Sequence, residues 1–407
     1  MNKDKDTSIL RDLARRYVEI CAEPVQQKRR VLWRQHNSLK KTRPLIYVRA
    51  FAWAEMSLSQ CLCEDAFCRV YEDYFRKHLF WNTLQDDSIF EPWVTVQATR
   101  TCSGWGVPKD LHYSDEPLGS FKVDYPLRDL SETGKLRTPW HGIDEIQTAS
   151  NAQRLSEILG DILPVAVDRA PEYRMWEMDL STELGYLRGI EHMMLDMTDH
   201  PEELHRLVKF MSDGVLKTHE EAEAAGDWNL LAHQNQAMPY AEELQDPAMN
   251  QNGIRRNQLW CHAAAQEFTA VSPAMHDEFL LQYQLPILRH FGLVAYGCCE
   301  DLTYKIDMLR QIPNLRRIAI SPFSNVAKCA EQIGKSYVFS YRPSPADMVS
   351  YGFDPDRVRS ILRRDLNACK ECHVDITLKD VQTVERDPNR VRNWVTLTRE
   401  ILSEVFE

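Results

Sequence analysis

Two adjacent thiols and a carboxylate, Cys298, Cys299 and Glu300, follow Gly297 at the end of a short apolar run, Leu293–Tyr296. A thiolate can bind a soft metal or attack an electrophile, and a carboxylate can carry a proton. The run before them reads as a buried strand and residues 302–310 behind them as a helix, so these groups fall where a strand hands over to a helix. In parallel α/β folds that junction is where side chains reach a shared cavity. A plainer role is open to the same residues. Free cysteine is among the most buried residue types, and Glu300 could cap the next helix. Chemistry is favoured because neighbouring apolar runs end in the same way.

Residues 259–265 end in Gln266 and Glu267, residues 337–339 lead to Tyr341 and Arg342, and residues 373–378 end in Lys379 and Asp380. Residues 228–232 end in His233. Glu267, behind an apolar run, suits a proton donor with a raised pKa or a helix-start carboxylate. With Glu300 it forms the candidate catalytic pair. Arg342 suits an anionic substrate group or a structural salt bridge; His233, Gln266 and Tyr341 are candidates for holding substrate oxygens. Trp53 and Tyr240, with Phe51, Trp93 and Trp105, are expected on loops of the same face, where flat rings suit a ring-shaped ligand. Cys298, Cys299, His262 and Asp380 could hold zinc with an open position, or the thiols could simply pack. Adjacent side chains at a strand end point apart, which favours Cys299 alone as a ligand.

The elements that must gather these tips can be read from periodicity. Strands are expected at 45–48, 93–97, 164–168, 228–232, 259–265, 293–296, 315–320, 337–339 and 373–378. Between them fall helices at 64–80, 149–159, 183–195, 201–225, 273–291 and 356–369, with a last one at 388–406. Alternation of this kind implies a parallel sheet, and about eight strands close naturally into a barrel. A doubly wound open sheet is the alternative, but no glycine-rich phosphate loop follows the first strand. The expected organisation is an N-terminal helical extension over 1–43, with one helix at 7–38, then a distorted (β/α)8 TIM-type barrel over 44–407. An irregular insertion at 107–148 interrupts it, long enough to cover a site.

The chain has 407 residues and a formal charge of −11, which argues against nucleic acid as a partner. A basic stretch at 28–43 suits a solvated helix face or the docking of an acidic partner. No apolar leader and no membrane-length segment is present, and 11 cysteines without a secretory signal fit a reducing cytoplasm.

The runs Ala265-Gln266-Glu267-Phe268, Val271-Ser272-Pro273, Tyr296 to Glu300, Pro313-Asn314-Leu315-Arg316 and Ser321-Pro322 resemble the uroporphyrinogen decarboxylase superfamily. The likeness is clearest over 259–380 and fainter over 6–53. It implies a distorted barrel and one of two chemistries. One is decarboxylation of a porphyrinogen without a cofactor. The other is methyl transfer involving a corrinoid (cobalamin) on a partner protein, usually assisted by zinc. Of the arginine motif that the decarboxylases carry at the first strand, only Arg49 is kept. The methyltransferase branch is therefore the closer one, and its His-x-Cys-Gly pattern aligns here with Gly297-Cys298-Cys299-Glu300. Cys299 keeps the cysteine position and Gly297 replaces the histidine, so a zinc shell would have to be rebuilt from Cys298, Glu300, His262 or Asp380. The resemblance thus implies O-demethylation of a small methylated compound, such as a methoxylated aromatic, with the methyl group passing to cobalt on a corrinoid protein. A homodimer is compatible with this reading. A non-catalytic barrel acting as a binding protein is a third reading.

Overall fold

The computed structural model describes residues 3–102, 104–114, 120–231, 233–234 and 236–406. Its strands are β1 (Leu45–Val48), β2 (Val94–Gln97), β3 (Asp110–Tyr113), β4 (Phe121–Asp124), β5 (Val165–Asp168), β6 (Trp260–Ala263), β7 (Leu293–Tyr296), β8 (Leu315–Ile320), β9 (Val338–Tyr341) and β10 (His373–Leu378). Six of them form one parallel sheet in the order β1-β10-β9-β8-β7-β6. Helical segments fill the connections from β6 through β10, and the six strands curl as a half-barrel; among the described residues the ladder between β6 and β1 that would close the expected eight-stranded barrel is not formed. β2 and β5 pair in parallel with each other, and among the described residues no ladder joins them to the larger sheet.

The strand expected at 228–232 does not form. It contributes an isolated bridge between Asn229 and Asn252, and Ala232 lies outside the described residues. The reason is local: Asn229 Oδ1 accepts the Leu231 amide at 3.0 Å, bending the backbone, while Asn229 Nδ2 donates to Asp168 Oδ1 at 2.9 Å. Asparagine bonding its own backbone two residues on competes with a ladder. The helix expected at 7–38 is two helices, Lys3–Cys21 and Pro24–Asn37, because Pro24 lacks an N–H and starts the second. That expected at 183–195 also divides, into Ser181–Arg188 and Ile190–Asp199. Gly189 between them has φ +85°, and a Cβ there would lie 2.7 Å from the Tyr125 ring. Within 107–148, β3 and β4 form a largely exposed antiparallel hairpin.

Alternation along the strands separates two faces. Ile46, Val48, Cys261, Val294, Ile318, Phe339, Ile376 and Leu378 pack outward into the main core with the helices. The intervening residues include Arg317, Ser340 and Asp375, which form a buried polar cluster. Arg317 Nη2 donates to Asp375 Oδ2 at 2.6 Å, Ser340 Oγ donates to Asp375 Oδ1 at 2.9 Å, and His36 Nε2 stands 2.9 Å from Asp375 Oδ2. Arg317 Nη1 reaches Asn37 Oδ1 at 2.7 Å. The last turn of Pro24–Asn37 is thus tied to the amino-terminal half of the sheet. Among the described residues no helix is long and apolar enough to cross a membrane.

Buried histidines make the fold sensitive to acid. Burial holds His78 down to about 4 and His219, His233 and His276 down to about 3. Each is neutral when folded and takes up a proton near pH 6.5 once unfolded, so below that pH the unfolded chain binds more protons. Stability should therefore fall as pH drops below about 6.5, by up to about 1.4 kcal/mol per pH unit for each such histidine, until their folded pKa values are reached. Urea unfolding midpoints measured from pH 7.5 to pH 5 check this.

Candidate active site at the carboxyl ends of the strands

Glu300 is buried and accepts two backbone N–H groups, from Ala265 at 2.8 Å and from Cys298 at 2.7 Å. Those residues lie just past the ends of β6 and β7, so this carboxylate fastens the two strand exits together. Both of its oxygens are engaged, which makes it a positioning residue for the loops around it. Gly297 turns the chain here, with φ +98° and a Cβ position 2.7 Å from Leu302 Cδ1. Leaving the extended conformation lets the two thiols lie on one side. Their sulfurs are 3.7 Å apart, contrary to the divergence expected of neighbours at a strand end.

Lys379, directly after β10, meets both thiols. Its Nζ donates to Cys298 Sγ and Cys299 Sγ at 2.9 Å each and to Asp380 Oδ2 at 2.7 Å. Asp380 adopts φ +55°, a conformation aspartate tolerates better than most residues. The hydrogen bond from Cys298 pulls the Cys299 pKa down, against burial and with help from the Lys379 ammonium, while Cys298 is pushed up. Arg342 is buried beside them. Its Nη1 donates to the carbonyls of Gly297 at 3.0 Å and Cys298 at 3.2 Å, and its Nε has no partner. His262, fully buried on β6, is held well below its usual range by burial and by Arg342, Arg49, Lys379 and Arg317.

On the β6 side the charges are acidic. Ser181 Oγ donates to Glu267 Oε2, and a Cβ on Gly185 would sit 3.1 Å from Glu267 Cγ, so this glycine leaves the glutamate room. Burial raises the Glu267 pKa, with Glu300 adding to it. Asp179, fully buried, is pushed well above the usual carboxylate range by burial and then by Glu267. Gln266 lies half-buried in the same short turn as Glu267.

Five residues expected at this face are placed elsewhere or held by other partners. His233 accepts the Trp260 amide at 3.2 Å, at the amino end of β6, and borders a small cavity with Arg174, Trp228 and Phe291. Tyr240 is buried against Trp33 and Leu45, with its hydroxyl donating to Glu91 at 2.5 Å and accepting from Arg30 at 2.9 Å. Both therefore lie at the opposite end of the sheet from the thiols. Tyr341 faces outward, its hydroxyl donating to Asp365 at 2.6 Å, because it is Arg342, one residue on, that turns toward the Cys298 loop. Trp53 follows β1 at the carboxyl end, but its indole donates to Asp73 at 2.7 Å and stacks with Phe51 and Phe80. Trp105 is core beside Tyr173 and Phe210.

The zinc shell expected from Cys298, Cys299, His262 and Asp380 does not assemble. Among the described residues the four-ligand set is not formed, and an ammonium sits among the donors that do converge. Lys379 was legible as the residue behind an apolar strand but is a cation, outside any ligand pattern. Asp179 and Ser181 come from a distant segment with no motif to mark them.

Two outcomes follow from this geometry. Glu300→Ala leaves two buried N–H groups without an acceptor and should lower stability by about 2–5 kcal/mol, with Glu300→Gln recovering part of it, in urea unfolding. At neutral pH iodoacetamide should label Cys299, which is part-exposed and held low by its neighbours, faster than the buried Cys298, as read by peptide mass mapping.

No family model matches the chain, and no curated protein sequence matches it. Among solved structures it is similar to a methyltransferase from Methanosarcina mazei, with 11% identity and a TM-score of 0.53 over 91% of this chain and 97% of that chain. At that identity the likeness is one of fold.

Proposed function

We propose that this chain is a methyltransferase that takes the methyl group from a small methoxylated aromatic acid and passes it to the cobalt of a corrinoid on a partner protein. The observation that carries the reading is the joining of a positive and an acidic half at the strand ends of a fold shared, end to end, with a methyltransferase. The resemblance to the corrinoid-dependent branch of the uroporphyrinogen decarboxylase superfamily supports the same class.

A corrinoid that arrives on a partner needs an open, partly apolar rim. Tyr304, Phe323 and Tyr351 are 70%, 75% and 75% exposed on the segments that follow β7, β8 and β9, which suits such a face. The bound corrinoid would supply a reduced cobalt as methyl acceptor. This chain's own work is to hold the donor and meet the charge that develops on the departing oxygen. Burial raises the Glu267 pKa, the direction a proton donor needs, and Ser181 fixes its carboxyl group. Arg342 and Lys379, with Arg49 close enough to act on Asp380 and His262, favour a ring substituent that is negatively charged. The same cations favour a second reading, cofactor-free decarboxylation of a polycarboxylate.

With free cob(I)alamin as acceptor, a methoxybenzoate should shift the visible spectrum to that of the methylated form, and neutral methoxybenzene should do so at least tenfold more slowly. Glu267→Gln should slow the reaction about 100-fold, within the range for loss of a general acid. Release of carbon dioxide from a porphyrinogen without cobalt, and no methylation, would select the second reading.

A further inference from the structure

The strongest observation left over is the arrangement around Lys379. Two sulfurs bound to one tetrahedral zinc at about 2.3 Å lie roughly 3.8 Å apart. Cys298 and Cys299 stand at 3.7 Å, the separation of a chelating pair, and Asp380 Oδ2 lies 3.5 Å from Cys299 Sγ as a third donor. The centre of that set is filled. Lys379 Nζ is 2.9 Å from each sulfur and 2.7 Å from the carboxylate, so the three N–H groups of the ammonium point at three atoms of metal-ligand type.

We propose that Lys379 is the resident cation of this site, holding the place between Cys298, Cys299 and Asp380 that a zinc ion would otherwise take. Three features agree with it. Lys379 is 3% exposed, so its ammonium is held beside the thiols and away from water. Arg342 and Arg49 act on the same small region, and a divalent ion added to them would face three positive charges. His262, the remaining expected ligand, is held inside the sheet among the same cations. An internal lysine supplies what a metal would supply electrostatically, a fixed positive charge beside a sulfur, without a vacant coordination position. The inference concerns binding alone and holds whichever methyl acceptor or reaction the protein serves.

Cobalt(II) is the probe, because thiolate ligation gives it a charge-transfer band that other ligands do not. The purified wild-type protein should show no such band and no stoichiometric zinc. Lys379→Met, which keeps the unbranched stem and removes the terminal ammonium, should bind cobalt(II) at least tenfold more tightly than wild type and develop the band. Lys379→Arg should not, and Cys299→Ala in the Lys379→Met background should abolish it. One equivalent of zinc in the wild type that is lost in Cys299→Ala would overturn the proposal, as would a folded Lys379→Met protein with no gain in cobalt binding. Should Lys379→Met fail to fold, the wild-type titration decides, since a thiolate–cobalt band there means that the lysine yields its place.

Discussion

An arginine and an aspartate buried inside a curled sheet set the terms for the rest of this molecule. Arg317 and Asp375 are 2% and 0% exposed, and either one alone would carry a desolvation cost of several kcal/mol. Together they are satisfied only because His36, Asn37 and Ser340 complete their hydrogen bonds. Two of those three come from the helix Pro24–Asn37, which lies far earlier in the chain. The helix Pro24–Asn37 is therefore a cover for the amino end of the sheet as well as part of an extension. With that end closed, the polar tips at the carboxyl ends are left as the candidate functional face.

Charge is distributed unevenly over that face. The exits of β9, β10 and β1 bring Arg342, Lys379 and Arg49, whereas the exit of β6 and the segment at 179–182 bring Glu267 and Asp179. Glu300 stands between the halves and spends its charge on the backbone amides of two strand exits. On the proposed reading this polarity orients the donor: its anionic end toward the cations and its departing oxygen toward Glu267. The thiols belong to the positive half, where both accept hydrogen bonds from the lysine.

Some of this was legible in the amino-acid sequence. Short apolar runs bounded by polar residues marked every strand of the six-stranded sheet, since a strand buried on both faces needs a continuous apolar stretch with few alternatives. The rule that chemistry sits where such runs end found Glu267, Glu300, the two cysteines, Arg342 and Asp380, and it stood one residue from Lys379. It failed at residues 228–232, where an asparagine turned the backbone against itself, and at 7–38, where Pro24 divided the helix. In both cases a single side chain overrode a pattern made by many.

What the sequence by itself determined was which segments end in reactive groups, because local periodicity and composition decide where a strand stops. Which of those groups share a cavity was decided by the tertiary structure alone. Tyr341 and Arg342 are neighbours in the chain, yet opposite faces of a strand send one to Asp365 and the other to the Cys298 loop. Ser181 and Glu267 are 86 residues apart and meet through packing that no local pattern encodes. His233 and Tyr240 carry suitable chemistry but leave the chain near the wrong end of the sheet. The identity of the cation beside the thiols is of the same kind: a lysine in sequence is only a charge, and its three short contacts exist because β7 and β10 are brought together by the strands between them.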